Sequence, residues 1–203
     1  SHYKPHSISI RLALRSDFPC FASKNHMKKL LSKRFFEGKA PKVARGLLGK
    51  YLVRKIGKKK IIGMITEVEA YDGFRDMASH ASRGKTKRNG VMFGSGGYWY
   101  VYFTYGMHWM LNIVTGKKEY PSAVLIRAIL IDEVPYQKTN GPAKLMKFLK
   151  IDKKLNAKPT ARRSNLWIED RGEAPKKIYS GKRIGVDYAG IWKDKLWRFY
   201  IEN

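Results

Sequence analysis

The sequence predicts an α+β protein, a single mixed domain built on a curved antiparallel β-sheet with surrounding helices. Apolar and β-branched runs of strand length recur along the chain and are separated by short turns. Helical periodicity is limited to a few short segments between those runs. The chain has 203 residues, 43% of them hydrophobic, which suffices for the core of one domain and argues against global disorder.

The first 26 residues differ in character from the rest. The chain does not open on methionine, and Met27 would be a natural start. We therefore expect a domain over residues 27–203, preceded by an arm over 1–26 that is dispensable or foreign to the native protein. Charged residues interrupt the apolar positions of this arm, which disfavours a secretory signal. A transit peptide remains an alternative.

Two short helices are predicted ahead of the sheet. The first is a basic helix over residues 28–36. The second begins at Ala40, has Pro41 in its first turn, carries apolar residues at helical spacing through Leu48, and ends at Gly49.

Residues 51–56 and 61–71 are predicted to form a hairpin joined by 57–60. Side chains alternate between the two faces of a strand, so Glu67, Glu69 and Tyr71 should share one face. The other face would carry Ile62, Met64, Thr66, Val68 and Ala70. The second strand thus brings two carboxylates and a phenol together in a chain that has few acids.

The rest of the chain continues the sheet. Residues 72–97, rich in Gly, Ser, Arg and Lys, are expected to form a long loop, and such loops are often functional. Further predicted elements are strands over 98–105, 109–115 and 123–131, a helix over 143–149, and short strands over 166–169, 183–186 and 197–201. The turn at 105–108 contains Gly106, which suits a positive φ angle.

The charge balance points to a polyanionic partner. The chain has 42 Lys and Arg against 16 Asp and Glu, a formal net charge of +26, and nucleic acid is the simplest partner for such a surface. Charge alone does not separate DNA from RNA or from an anionic membrane. The single cysteine, Cys20, excludes an internal disulfide and a cysteine-based zinc site, and fits a reducing, intracellular setting. No run is long and apolar enough to span a bilayer.

An ordered set of motifs over roughly residues 41–203 resembles the alkyladenine (3-methyladenine) DNA glycosylase family. No single motif is diagnostic, but their order and spacing are those of the family. The motifs lie at 67–73 (EVEAYDG), 78–80 (ASH), 86–89 (TKRN), 92–94 (MFG), 100–103 (YVYF), 105–108 (YGMH), 111–113 (LNI), 125–127 (LIR), 140–144 (NGPAK), 183–186 (RIGV) and 197–200 (WRFY). The resemblance implies a monomeric base-excision-repair enzyme that needs no metal or cofactor and inserts a β-hairpin into the minor groove of damaged double-stranded DNA.

The resemblance also assigns roles to individual residues. Tyr105 matches the tyrosine that intercalates into the DNA, and Met107 would pack beside it; from the residues alone, Tyr105 could equally pack under its own turn. The walls that stack on the flipped base match Tyr71, His80 and Tyr102. Asn112 matches the residue that crowds the guanine 2-amino group, although a strand-interior asparagine is more commonly bonded to backbone.

For the chemistry, Glu69 matches the general base that activates water. Arg127 and the main-chain carbonyl of Ile184 match the groups that help to hold that water. Glu67 is interpreted as a structural carboxylate. Three candidates for contact with DNA phosphates are Thr86, Arg88 and Lys144.

The sequence also allows other interpretations of the function. A non-catalytic DNA- or RNA-binding module would keep the charge and the aromatic residues without needing Glu69. Zinc deaminases, metalloproteases and P-loop enzymes are disfavoured because their motifs are absent from the sequence. The expected location is intracellular and on DNA: the bacterial cytoplasm or nucleoid, or a eukaryotic nucleus or organelle. The sequence does not rank alkylated purines, hypoxanthine and ethenoadenine as substrates.

Overall fold

The computed structural model describes residues 28–104 and 106–202, which fold around one curled antiparallel sheet. Along the main path of the sheet, the strand order is β1-β7-β2-β3-β6-β5-β4, and β9 pairs with both β3 and β8. The α+β class and the single mixed domain predicted from the sequence are thereby confirmed. The expected arm over residues 1–26 lies outside the described residues.

The strands are β1 (Lys29–Leu30), β2 (Tyr51–Ile56), β3 (Lys59–Asp72), β4 (Trp99–Thr104), β5 (His108–Val114), β6 (Ser122–Leu130), β7 (Leu166–Asp170), β8 (Tyr179–Gly181) and β9 (Arg198–Tyr200). The α-helices are α1 (Lys33–Phe36), α2 (Ala40–Leu47) and α3 (Pro142–Phe148). Short 3₁₀ turns occupy Gly90–Phe93, Tyr136–Lys138, Lys153–Leu155, Arg162–Ser164 and Asp187–Asp194. None of the helices within the described ranges is long and apolar enough to cross a membrane.

Two predicted elements were wrong. The helix over 28–36 begins only at Lys33, where the Ser32 side chain caps it by accepting from the Phe35 N–H. Ahead of it, Lys29–Leu30 form β1 against β7. The strand over 183–186 is irregular, because Gly185 adopts a left-handed φ of 74° and the Ile184 N–H bonds a carboxylate instead of a neighbouring strand.

Strand β3 is the centre of the sheet. Its N-terminal half pairs with β2, its C-terminal half with β9, and β6 runs along its other edge. Ile65 pairs with Ile129 but Glu67 pairs with Ala128, so Thr66 is an extra residue that interrupts the predicted alternation. The next irregularity leaves Arg127 without a direct partner on β3.

The main core lies where the sheet packs against α2, α3 and the Lys153–Leu155 turn. Apolar residues at helical spacing on α2 are fully buried there, as predicted. The largest fully buried side chains of this core are Trp99, Phe36, Phe199, Leu47, Leu48, Leu52, Ile65, Leu111, Ile113, Ile126 and Ile129. This packing supports one face of strands β3 to β6. The polar site described next lies on the C-terminal half of β3 and on neighbouring parts of β4, β5 and β6.

The long loop over 72–97 is tied down by two buried polar side chains. Asn89 donates to the carbonyls of His80 and Gly84, and its Oδ1 accepts from the Thr86 N–H. Asp76 accepts from the N–H groups of residues at the start of the loop. The loop therefore holds a fixed path beside the sheet.

Candidate active site

A cavity of about 260 Å³ opens between β3, β4, β5, β6 and two irregular segments. Its lining combines aromatic walls with a buried carboxylate and a guanidinium. Among the residues assigned to the site from the sequence, the cavity brings together Glu69, Tyr71, His80, Tyr102, Asn112, Arg127 and Ile184. It is close in size to the smallest ligand pockets, of roughly 300 Å³, and suits one nucleobase-sized group.

Glu69 lies at the inner end of this cavity and is completely buried. It pairs with Leu125 on one side and Arg198 on the other, so the middle of the sheet encloses it. Its Oε1 accepts from the Ile184 N–H at 2.8 Å and lies 3.2 Å from Arg127 Nη1. Its Oε2 accepts from the Tyr71 hydroxyl at 2.9 Å.

These surroundings act on the Glu69 pKa in opposite directions. Burial raises the pKa of the carboxyl, and this is the largest effect. The Arg127 charge, the Ile184 N–H and the Tyr71 hydroxyl each lower it. A carboxylate held in this way is a stronger base than an exposed one, which is a property that general bases need.

Arg127 bridges the two glutamates of β3. Its Nε donates to Glu67 Oε1 at 2.9 Å while its Nη1 reaches Glu69. Glu67 also accepts from Arg198 Nη1 at 3.2 Å. Glu67 is thus held between two arginines, and its contacts fit the structural role predicted for it.

Tyr71 links Glu69 to a third arginine. Its ring lies under the Arg183 guanidinium, 4.8 Å from ring centroid to Cζ. Burial and the neighbouring Glu69 raise the pKa of the Tyr71 hydroxyl well above its ordinary value. The phenol therefore stays protonated and remains a donor to the carboxylate.

His80 and Tyr102 form an aromatic wall, together with Tyr100, a residue that the sequence interpretation missed. The His80 and Tyr102 ring centroids are 4.5 Å apart, and His80 Nδ1 lies 3.1 Å from the Tyr100 hydroxyl. His80 is exposed in part, but burial of the side chain, helped by the Arg88 charge, lowers its pKa to about 4. The wall is therefore uncharged near neutral pH.

Asn112 lies on β5 in the cavity and is almost fully buried. Its Nδ2 donates to the Tyr100 carbonyl at 3.3 Å, the backbone contact expected of a strand asparagine. Its side chain can hold this bond and still limit the space available beside it. The backbone role and the crowding role are therefore compatible.

At the described part of the hairpin tip, Gly106 and Met107 do not line the cavity. Strands β4 and β5 form an antiparallel hairpin in which Thr104 pairs with His108. Tyr105 falls outside the described residues. Gly106 has the predicted positive φ, 64°, and Met107 has 68% of its surface exposed at the tip.

The candidates for phosphate contact are dispersed, and all three have hydrogen-bond partners within the protein. Thr86 exchanges hydrogen bonds with Asn89, so its hydroxyl helps to shape the loop. Arg88 donates to the Phe103 carbonyl at 2.8 Å and lies over the Tyr102 ring. Lys144 is exposed on α3 and donates to Asn140 Oδ1 at 3.1 Å.

The Ile184 contact differs in part from expectation. The hydrogen bond that joins Ile184 to the site comes from its N–H, whereas the sequence interpretation assigned a role to its carbonyl. Two other groups went unrecognised: the buried Asp76–Arg183 pair behind the cavity and Tyr188 at its rim. Arg183 falls within a family motif, but no pattern in the sequence indicated that Asp76 is its partner.

Within the ranges that the structure describes, there is no group of three or more His, Cys, Asp or Glu side chains that could hold a metal ion. The acidic groups of the site are instead engaged by arginines.

Comparison with known proteins gives consistent matches over most of the chain. Residues 34–203 match the model of the methylpurine-DNA glycosylase family. A protein of Legionella pneumophila (strain Lens) named "Putative 3-methyladenine DNA glycosylase" is 46% identical over 177 residues, which cover 87% of this chain and 96% of that protein. Proteins with the same name occur in Borrelia garinii subsp. bavariensis, 45% identical over 179 residues (85% and 96% covered), and in Methanocella arvoryzae, 43% identical over 187 residues (86% and 93% covered). These matches confirm the resemblance indicated by the ordered motifs.

Proposed function

The chain belongs to the methylpurine-DNA glycosylase family, and from this we propose that it removes alkylated or deaminated purines from double-stranded DNA through a water molecule activated by Glu69. That the protein is a DNA glycosylase, a hydrolase of N-glycosyl bonds that acts in DNA repair, follows from the family and its relatives. The choice of purines and the mechanism are our proposals.

The observation that carries the proposal is the environment of Glu69. An ionised carboxylate can accept about four hydrogen bonds, and three described groups donate to this one: the Ile184 N–H, Arg127 and the Tyr71 hydroxyl. In our proposal, the remaining position takes a water molecule from the cavity that Glu69 lines. Glu69 would take a proton from that water as it attacks the sugar carbon, and its charge would stabilise the oxocarbenium-like transition state.

The target base must leave the duplex before water can reach its glycosidic bond. Flipping costs a few kcal/mol, and stacking on aromatic side chains returns about 1–3 kcal/mol per base. Tyr71, His80 and Tyr102 supply the aromatic walls in our proposal. Asn112 would crowd the 2-amino group of a normal guanine and so exclude it.

The β4–β5 hairpin would fill the gap left in the DNA stack. Apolar and aromatic wedges at an exposed tip are the general device for this purpose. Tyr105 is the proposed wedge, and the exposed Met107 would pack beside it. Lys144 would exchange its exposed bond to Asn140 for one to a phosphate, while Thr86 and Arg88 would act from a loop already ordered by their contacts.

The proposed enzyme acts as a monomer inside the cell on damaged DNA and needs neither metal nor cofactor. The chemistry requires only a base, a water molecule and a way to hold the flipped nucleotide. The product would be an intact abasic site, because water rather than a lysine amine is the nucleophile.

The deciding experiment replaces Glu69 with glutamine, which keeps the size and hydrogen-bonding shape but removes the charge. We expect Glu69→Gln to bind lesion-containing duplex as the wild type does, and to lose roughly 10²-fold or more in single-turnover excision. A matched control is Glu169→Gln, because Glu169 is also a buried carboxylate bound to an arginine but does not line the cavity. Its excision rate should stay near that of the wild type.

The fate of the DNA checks the nucleophile independently. Borohydride should trap no covalent protein–DNA adduct during excision. A trapped adduct, or near-normal excision by Glu69→Gln, would overturn the proposed mechanism while leaving the glycosylase activity intact.

A further inference from the structure

A buried ion pair lies behind the cavity, on the far side of Tyr71. Arg183 Nη1 and Nη2 bind Asp76 Oδ2 and Oδ1 at 2.6 and 2.8 Å, and both side chains are completely buried. The two parallel bonds give the fork-to-fork geometry in which an arginine and a carboxylate fix each other's orientation. Neither residue lines the cavity.

Asp76 organises the loop on its own side. Its Oδ2 accepts from the Asp72 N–H and its Oδ1 from the Ala78 N–H, each at 3.1 Å. The carboxylate thus holds the chain between the end of β3 and the aromatic wall residue His80.

Arg183 organises three other segments. Nη1 also donates to the Ala70 carbonyl at 2.9 Å, and Nη2 to the Trp192 carbonyl at 3.1 Å. The guanidinium lies against the rings of Tyr71 and Trp197, with Cζ at 4.8 and 5.2 Å from their centroids. One cation therefore joins β3, the Asp187–Asp194 turn and the approach to β9.

Two of the groups that donate to Glu69 are positioned next to the Arg183 guanidinium, one by packing and one by sequence. Tyr71, whose ring packs on Arg183, gives its hydroxyl to Glu69 Oε2. Ile184 directly follows Arg183 in the chain and gives its N–H to Glu69 Oε1. A rotation or shift of the guanidinium would move both donors at once.

Buried ion pairs are weak evidence for stability, since apolar replacements of similar volume are often as stable. A bidentate pair does, however, fix the orientation of its two side chains. We propose that Asp76 and Arg183 are positioning residues for the hydrolysis, holding the Tyr71 hydroxyl and the Ile184 N–H against the Glu69 carboxylate. This inference rests on the proposed role of Glu69 as general base.

Loss of the pair should change how readily Glu69 ionises. Both positioned donors lower the pKa of Glu69, so losing them raises it, and the base becomes protonated at a higher pH. The charged and titratable groups that face Glu69 from the packed elements are Glu67 and Tyr71 on β3, Tyr102 on β4, Arg127 on β6 and Arg198 on β9. The substitutions at positions 76 and 183 replace none of these residues, so a change in the pH profile would report displacement of the Tyr71 hydroxyl and the Ile184 N–H.

The test uses two variants, because deleting one charge of a buried pair can unfold a protein. Arg183→Lys keeps the charge but loses the fork, and the double variant Asp76→Asn with Arg183→Gln removes both charges together. Single-turnover excision of an alkylated purine is measured from acidic to neutral pH. We expect both variants to lose about tenfold in maximal rate and to move the acidic limb to higher pH by roughly half a unit or more, with binding to abasic-site duplex unchanged.

The matched control is Arg171→Lys, which weakens the Arg171–Glu169 pair at the end of β7, away from the cavity lining. It should lower the melting temperature without moving the acidic limb. Folded Asp76 and Arg183 variants with the wild-type limb would overturn the inference, as would loss of folding in both, which would make the pair a requirement of the fold. Normal excision by Glu69→Gln would instead refute the general base itself.

Discussion

At the scale of single residues, Arg127 is the main group that favours the ionised form of Glu69. Its guanidinium bridges both glutamates of β3, and its charge is the largest of the effects that lower the pKa of Glu69. Burial opposes it. The Arg127 charge therefore favours ionisation of the Glu69 carboxyl although that carboxyl is buried.

Removing this charge should shift the pH dependence of excision. Arg127→Met leaves burial unopposed by the arginine, so the pKa of Glu69 rises further and the acidic limb moves to higher pH. Arg127→Lys, which keeps a positive charge, should shift the limb less. The measurement is single-turnover excision against pH, and equal limbs in the wild type and Arg127→Met would contradict this account of the base.

The Asn112 side chain should control which purines enter. Asn112→Gly removes the side chain beside the flipped base and leaves room for an exocyclic 2-amino group. Release of normal or mispaired guanine should then increase relative to release of alkyladenine by the same variant. The ratio is the measurement, because glycine in a strand also lowers stability, and a ratio that does not rise would remove Asn112 from the specificity pocket.

At the residue scale, strand alternation could predict only the part of this site that lies along β3, and the other site residues came from the family motifs. Alternation placed Glu67, Glu69 and Tyr71 together, and their shared contacts agree with it. The Ile184 N–H and the Asp76–Arg183 pair could not be found in that way. They join segments more than a hundred residues apart, and irregular backbone has no periodicity that would reveal where it folds back.

At the scale of elements, the longer strands were predicted well from their apolar, aromatic and β-branched composition. β5 and β6 lie inside the sheet and β4 lies at its edge, yet each begins and ends within one residue of its predicted range. The two wrong elements lie where local bonds prevail over composition. The basic segment from residue 28 was predicted to be helical. However, Ser32 caps helix α1, which begins only at Lys33, and Lys29–Leu30 pair with β7 as a strand.

The β4–β5 hairpin should be separable from the fold. Tyr105→Ala is expected to weaken the flipped state of the target base while leaving the melting temperature near that of the wild type, since a side chain that inserts into DNA would contribute little to the protein core. Fluorescence of a reporter base beside the lesion measures flipping. Tyr98→Ala is a matched control, because Tyr98 is a partly exposed tyrosine seven residues earlier in the chain, about 23 Å away along an extended strand. An unchanged flipping equilibrium in Tyr105→Ala would exclude the wedge.

At the scale of the whole molecule, the net charge of +26 is far larger than a cavity for one base requires. Cations that neutralise phosphates release counterions from DNA, and that release supplies most of the non-specific affinity. We therefore expect the charge to serve binding to undamaged DNA as well as recognition of the lesion.

Binding to undamaged duplex should accordingly be strong and fall steeply with salt. A plot of log affinity against log salt should have a slope of about −0.9 for each phosphate neutralised. Lys144→Gln should reduce the slope by about one. Lys58→Gln should leave it unchanged, because the β2–β3 turn lies roughly 33 Å along β3 from Glu69. A nearly flat plot would refute the reading of the basic surface.

The two irregularities in the β3–β6 ladder have a consequence for how this chain can change length. Thr66 adds one residue to β3 and Arg127 adds one to β6, and beyond both of them the register returns to its earlier value, as Ile65 with Ile129 and Val68 with Ile126 show. The insertions cancel. A single-residue deletion at either place would turn every later side chain of that strand to the opposite face, whereas a deletion at both would restore the register but lose the residue that bridges the two glutamates. The arginine that bridges Glu67 and Glu69 is thus an inserted residue, and the inserted residue on the facing strand has to be gained or lost with it.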